Sequence, residues 1–275
     1  MSCLIVRRAR FSAAHRYWLP ELSAEENLQR FGPTTRIHGH NYTLLVSMLG
    51  PVDQYGMVLN LSDVKHVIKR EVTTQLDLNT LNEVWPEFQA TLPTTEHMAR
   101  VIFDRLKPHL PVVRIQVFES DELWAEYQGE AMQAYLTVGD HFAAAHRLAL
   151  DSLSFEENSE IYGLCARENG HGHNYHVEIT VKGDVDPRTG MLIDLVQLQQ
   201  VLKDKVLLPF DHTFLNKDVP YFAAVVPTAE NIALHIRDLL EEPISSLGAR
   251  LHKVRLIESP NNSAEVYTES YAPLL

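Results

Sequence analysis

The chain has 275 residues, 45% hydrophobic and 22% charged, the make-up of a folded globular protein long enough for one large domain or two ordinary ones. A formal net charge of −12, with no run of Lys and Arg interleaved with aromatics, argues against a nucleic-acid partner. The opening MSCLIVRRARFSAAH has no signal-peptide core and no apolar run approaches membrane-spanning length, so no membrane partner is expected and the expected setting is cytoplasmic; two cysteines, Cys3 and Cys165, are too few for a disulfide framework.

Along the chain one pattern occurs twice, at an offset of roughly 130 to 140 residues. FSAAHRYW at Phe11 to Trp18 returns as FAAAHRLA at Phe142 to Ala149, LSAEEN returns as LSFEEN, HGHNY at His38 to Tyr42 returns at His171 to Tyr175, and LPTTEHMARVIFDRL returns as VPTAENIALHIRDLL. The period is domain-sized and indicates two fused copies, residues 1–130 and 134–275, with the boundary near Gly129 to Gln133.

Each copy reads in the same order. A β-branched and aromatic strand runs into the AAH segment, a loop follows, and a second strand starts at HGHNY and alternates through TLLVSMLG or HVEITVKG. A Gly-containing turn leads to a helix near residues 62–74 or 195–207, and a second helix begins after PTTE or PTAE, capped by Thr94 or Thr228. Two closing strands follow, VVRIQVFES with WAEYQ and KVRLIES with AEVYT. The unit is ββααββ, an antiparallel sheet with helices on one face, hence α+β; its open sheet edges point to oligomerisation.

In the second copy His171 and His173 are two apart, so an extended strand projects both to one face, and His146 can meet them from the paired strand. Three neutral imidazoles on a rigid sheet suit a catalytic zinc ion with an open position, and His15, His38 and His40 repeat the set in the first copy. One HxH alone would equally be a solvent-facing strand entry; its recurrence in register with a strand-one histidine favours the metal. The remaining histidines carry no spacing signal.

The copies diverge around this set. CARENGHGH puts Cys165 six positions before His171, where a thiol near a cation can serve as a thiolate base, while the first copy reads GPTTRIHGH with no cysteine. PFDHTFLN pairs Asp211 with His212 as an acid/base relay; QLDLNTLN keeps Asp77 but has Leu78. Glu119 and Glu258 end apolar strands, where a ligand with two adjacent N–H donors would satisfy a carboxylate.

Together these residues resemble the 6-pyruvoyl-tetrahydropterin synthase family, which includes the bacterial 6-carboxytetrahydropterin synthases. The likeness covers nearly all of residues 137–268 through FAAAHRL, LSFEEN, CARENGHGHNY, DVDPRTGMLIDL, FDHTFLN, VPYFAAVVPTAEN and LIESPNNSAEVY, and the first copy more loosely. The resemblance implies two tandem tunnelling-fold units, zinc on His146, His171 and His173, Cys165 as the proton-abstracting thiolate, Asp211 and His212 as the relay, and Glu258 with Thr228 as the pterin anchor. It implies 7,8-dihydroneopterin triphosphate as substrate, loss of triphosphate to give 6-pyruvoyl-tetrahydropterin, and a homo-oligomer, three two-unit chains supplying six units. The alternatives are the 6-carboxytetrahydropterin product of a deazaguanine (queuosine) pathway, side-chain cleavage hinted at by Glu168, or a non-catalytic pterin- or metal-binding module, the better description of the first copy.

Overall fold

The computed structural model describes residues 2–269. Two compact units emerge, one of residues 1–137 with 182–196, the other of 138–181 with the chain from 197 onward. The units and the sequence repeats therefore differ in two segments: 134–137 and 182–196, which belong to the second repeat, pack as part of the first unit.

The first unit contains β1 (Ser2–His15), α1 (Ala24–Phe31), β2 (His38–Pro51), α2 (Leu61–Ile68), β3 (Asn79–Thr80), α3 (Thr95–Leu106), β4 (Val112–Ser120) and β5 (Leu123–Tyr127). Its strand order is β3-β1-β2-β4-β5, antiparallel except for β3, which runs parallel to the end of β1. The second unit repeats this with β6 (Gln133–His146), α4 (Phe155–Tyr162), β7 (His171–Asp184), α5 (Leu195–Leu202), β8 (Thr213–Phe214), α6 (Ala229–Ser246), β9 (Arg250–Ser259) and β10 (Asn262–Tyr267), in the order β8-β6-β7-β9-β10. This is the tunnelling fold twice over.

Alternation makes each sheet two-faced. Tyr42, Leu44, Val46 and Met48 of β2, and Tyr175, Val177, Ile179 and Val181 of β7, are fully buried on the side the helices cover. Helix α3 packs on β4 and β5, and α6 on β9 and β10. Both helices start as read from PTTE and PTAE: the Thr94 hydroxyl accepts the His97 N–H and the Thr228 hydroxyl the Asn231 N–H. Among the described residues no helix is long and apolar enough to cross a membrane.

Two local expectations need correction. LSAEEN and LSFEEN are helical, not loops: Ser23 with Glu26, and Ser154 with Glu157, form reciprocal capping boxes that satisfy the first free N–H groups of α1 and α4. The buried Asn27 and Asn158 then knit the preceding segment, each accepting one N–H (Leu19 or Leu150, 2.8 Å) and donating to three carbonyls. The helices after the Gly-containing turns are also interrupted, each passing into a five-residue π-helical stretch, Lys69–Thr73 and Lys203–Leu207.

The segment 182–196 closes the first unit. Met191 joins Tyr17, Leu19, Phe31 and Leu92 in an apolar cluster, Thr94 Oγ1 donates to the Gly190 carbonyl, and the Leu192 N–H donates to Glu96 Oε1 at 3.0 Å. Burial pushes the Glu96 carboxyl up from 4.5 to about 7. A carboxyl raised on folding contributes stability that is complete below its unfolded value and lost as pH rises toward its folded one. Glu96→Gln, which keeps the acceptor but cannot ionise, should flatten the fall in urea-unfolding stability between pH 4.5 and 7.

Candidate metal centre and active site

The pairing of β1 with β2 sets His15 directly opposite His38, and His40 opposite Ala13, so the three imidazoles share one face at one end of the ladder. Ring centroids lie 4.6 Å apart for His15–His38 and 5.1 Å for both His15–His40 and His38–His40; in the second unit His146–His171 is 4.6 Å, His146–His173 5.1 Å and His171–His173 4.8 Å. One nitrogen from each ring of a triad falls within 4.8 Å of the others.

The turn before the second long helix of each unit orients the central ring. His15 Nδ1 donates to the Pro93 carbonyl at 3.2 Å and His146 Nδ1 to the Pro227 carbonyl at 2.8 Å, since a carbonyl only accepts. This leaves the Nε2 lone pairs directed at the partner histidines, and His146 Nε2 stands 3.2 Å from His171 Nε2. Burial, reinforced by the neighbouring imidazoles, drives His15 down to about 3. Burial likewise lowers His40, His146 and His173. All four are therefore held neutral, the form that ligates metal. The Nε2 atoms of His15, His40 and His173 are buried without a hydrogen bond, a costly state that a shared cation relieves. The donor set fits zinc.

A carboxylate faces each triad from the end of the third long strand. Glu258 Oε1 lies 3.8 Å from His146 Nε2 and 3.9 Å from His173 Nε2; Glu119 lies 3.9 Å from His15 Nε2 and 3.4 Å from His40 Nε2. Glu119 also accepts from the Thr95 hydroxyl at 3.1 Å, a donor that Ala229 does not offer in the second unit, and burial raises its carboxyl to about 7. Thr228 is half-buried beside this turn.

Cys165 lies on the single helical turn Gly163–Ala166, with Sγ 3.8 Å from His171 Nε2. The first unit builds the same backbone without the thiol: Tyr17 N–H donates to Thr34 O at 2.8 Å just as Leu148 N–H donates to Cys165 O at 2.9 Å, but the Thr34 hydroxyl turns back to the Phe31 carbonyl. Asp211 accepts the Ala143 N–H through Oδ1 and His212 Nδ1–H through Oδ2, both at 2.8 Å, and these donors hold its carboxyl below the usual range. His212 is 82% exposed and shares a cavity of about 370 Å³ with His173, lined also by Ala143–Ala145, Gly172, Asn174 and Thr213. The structure thus brings Cys165 to the triad directly and sets His212, bonded to Asp211, in a cavity that His173 also lines.

Sequence reasoning missed Tyr175. Its ring lies 5.4 Å from His173 and 6.0 Å from His146, its hydroxyl is buried with no hydrogen-bond partner, and burial beside Glu258 and Cys165 raises its pKa. The period-two run HxHxY carried the signal, since a third residue on the same strand face meets the same site.

Two tunnelling-fold units, each converging three histidines under a carboxylate, define the class of protein. The profile of the 6-pyruvoyl tetrahydropterin synthase family matches residues 4–130 and again 135–269. The chain is similar to the 6-pyruvoyl tetrahydrobiopterin synthases of Pongo abelii (45% identical over 134 residues) and Homo sapiens (44% over 134), each match covering 49% of this chain and 91% of the relative. A solved 6-pyruvoyl tetrahydropterin synthase from Caenorhabditis elegans is 37% identical, covering 50% of this chain and 98% of its own, with a TM-score of 0.48. The chain belongs to the 6-pyruvoyl tetrahydropterin synthase family, and is a lyase of that kind.

Leu78 occupies the His212 position with the same left-handed backbone, φ 59° against 57°, and is 85% exposed. A non-glycine residue there costs about 1–2 kcal/mol, partly offset by glycine's greater chain entropy. Leu78→Gly should therefore raise unfolding stability, by about 0.5–1 kcal/mol in denaturant titration, and leave turnover unchanged.

Proposed function

We propose that the second unit is a zinc-dependent lyase that takes 7,8-dihydroneopterin triphosphate to 6-pyruvoyl-tetrahydropterin with loss of triphosphate, working as a cytoplasmic homo-oligomer. One observation carries this reading: of two closely matched histidine triads, only that of His146, His171 and His173 has a thiol beside it, Cys165 at 3.8 Å from His171.

His146, His171 and His173 would hold the zinc. When bound, it would supply Lewis acidity to the substrate's side-chain hydroxyls and so acidify the C–H bonds of the carbons that bear them. Glu258 accepts two adjacent pterin N–H groups and fixes the ring over the triad, with Thr228 assisting from the cap of α6. Cys165, as thiolate, takes the proton from carbon. Asp211 keeps the proton on His212 Nδ1, so that Nε2 faces the cavity and exchanges protons with the side-chain oxygens.

The first unit retains His15, His38, His40 and Glu119 but has Thr34 and Leu78 where the base and relay stand. It binds metal or pterin without turning the substrate over.

Incubation with 7,8-dihydroneopterin triphosphate and mass spectrometry of the pterin formed tests the reaction; a 6-carboxy or hydroxymethyl product would overturn the pyruvoyl assignment. Cys165→Ala should lower turnover by about 10²–10⁴ while zinc content is kept. His171→Ala with His173→Ala should lose the zinc of the second unit, and unchanged zinc on elemental analysis would remove those residues as ligands.

A further inference from the structure

In a chain of formal net charge −12, five cations line a single groove of the first unit. Arg7, Arg8 and Arg10 come from β1, Lys65 from α2, and Lys69 from the π-helical stretch that continues α2; both helical pieces pack on β1. Thr73 adds a hydroxyl, the buried Ile68 lines the groove as well, and the space is about 190 Å³.

Gathering like charges is unfavourable unless something neutralises them. Within the described residues nothing does: none of the five takes part in an ion pair or a side-chain hydrogen bond. β2 sets Val46, Leu45, Leu44 and Thr43 opposite Arg7–Arg10 and holds no acidic residue along its length. Glu71, the carboxylate of the π-helical stretch, is taken by Arg70 at 2.5 Å and by His109 at 3.6 Å.

Exposed charge on an edge strand guards against pairing with another chain, and Arg8 and Arg10 alone would suit that role. β1 meets β3 only at Ala13 and Ala14, so beside these arginines its second edge is unpaired among the described residues. Edge protection does not account for Lys65 and Lys69, which a helix brings to the same groove from outside the sheet. Nor is the groove a property of the fold. The matching brackets of Asp77 on Ser12 and Asp211 on Ala143 align the two units. On that alignment Val138, Gly139 and His141 stand for Arg7, Arg8 and Arg10, Gln199 for Lys65 and Leu207 for Thr73. Only Lys203 keeps its charge, and Asp140 replaces Ala9.

We infer that this groove binds a chain of linked phosphates, a triphosphate group free or carried by a small molecule. Lys65 and Lys69 stand one helical turn apart, about 5–6 Å, and Arg7 to Arg10 span about 10 Å of strand. Positive charge therefore runs along the groove instead of meeting at a point. A phosphate chain matches that line, whereas one phosphate reaches only part of it. Guanidinium groups grip phosphate oxygens as a fork and ammonium groups as point charges, while Thr73 and alternate N–H groups of the unpaired edge supply neutral donors. The volume is below the about 300 Å³ of a pocket that encloses a drug-sized ligand, so any organic remainder stays outside and the phosphates carry the recognition. Arg10 stands five residues along β1 from His15, about 16 Å, which separates the groove from the histidine triad of its unit. The inference does not depend on the reaction assigned to the second unit, and its test uses no pterin.

Titration calorimetry of the full chain with sodium triphosphate, at about 0.15 M salt so that loose surface charge is screened, reads the binding. Arg7→Gln with Lys69→Gln should weaken it at least about tenfold, the scale of a lost charge-assisted contact. Lys203→Gln, at the equivalent place in the second unit, should leave it unchanged. Orthophosphate should bind at least about tenfold more weakly than triphosphate. Comparison with adenosine triphosphate separates the sources: equal affinity marks a free phosphate chain, and tighter binding a chain carried by a larger molecule. Hydrogen exchange on the unsubstituted chain gives a reading that no folding defect can mimic, since triphosphate should slow exchange within residues 7–10 and 65–73. No binding at that salt, an affinity indifferent to Arg7 and Lys69 or equally sensitive to Lys203, orthophosphate binding as tightly, or protection confined to the histidine strands would each overturn the inference.

Discussion

Convergence of three imidazole nitrogens on one face of a strand pair is the constraint on which the rest of this structure turns. Neutral rings with buried, unbonded Nε2 atoms are a cost to the apo fold, and each unit commits several elements to sustaining it. The β1–β2 register puts the strand-end histidine opposite the HxH pair, and the proline carbonyl ahead of the second long helix fixes its tautomer. Thr94 and Thr228 cap those helices one residue later, so the same turn that starts the helix aims the ligand. A shift of one residue in the ladder would send the histidines to the face away from the helices and dismantle the site.

Much of this was legible in sequence because it rests on short periods. HxH on a strand, a capping threonine before an amphipathic helix and a repeat with constant order are local signals that pairing only has to combine. The LSAEEN segments read as loops although Ser23 with Glu26 and Ser154 with Glu157 spell a capping box, because a helix of only eight residues with few apolar side chains gives a short pattern. The destination of residues 182–196 could not have been read at all. Its contacts with Tyr17, Leu92 and Glu96 join positions far apart in the chain, 96 residues for Leu192 with Glu96, and depend on a fold already formed.

The two copies show which parts of a site a sheet enforces and which it leaves free. Thr34 and Cys165 occupy one backbone geometry, tied by the same N–H to carbonyl bond from Tyr17 or Leu148, so the thiol is an addition to a frame that stands without it. Glu119 has gained the Thr95 hydroxyl, which gives a buried carboxyl a partner independent of any ligand. Glu258 faces its triad without that donor, Ala229 standing at the Thr95 position.

Leu78 carries the argument one step further. It keeps a left-handed backbone that benefits no leucine and presents its side chain to solvent. The reason is that its N–H bonds to Ser12 O at 2.6 Å while Asp77 accepts the Ser12 N–H at 2.8 Å, the same bracket that Asp211 and His212 place on Ala143. That bracket sits beside the parallel pairing of β3 with the end of β1, one turn of strand from His15. Relaxing the turn would loosen the strand that carries the central histidine, so the strained backbone is kept with no imidazole on it. The first unit has Thr34 and Leu78 where the second has Cys165 and His212, and it keeps the bonds that hold the sheet and the triad.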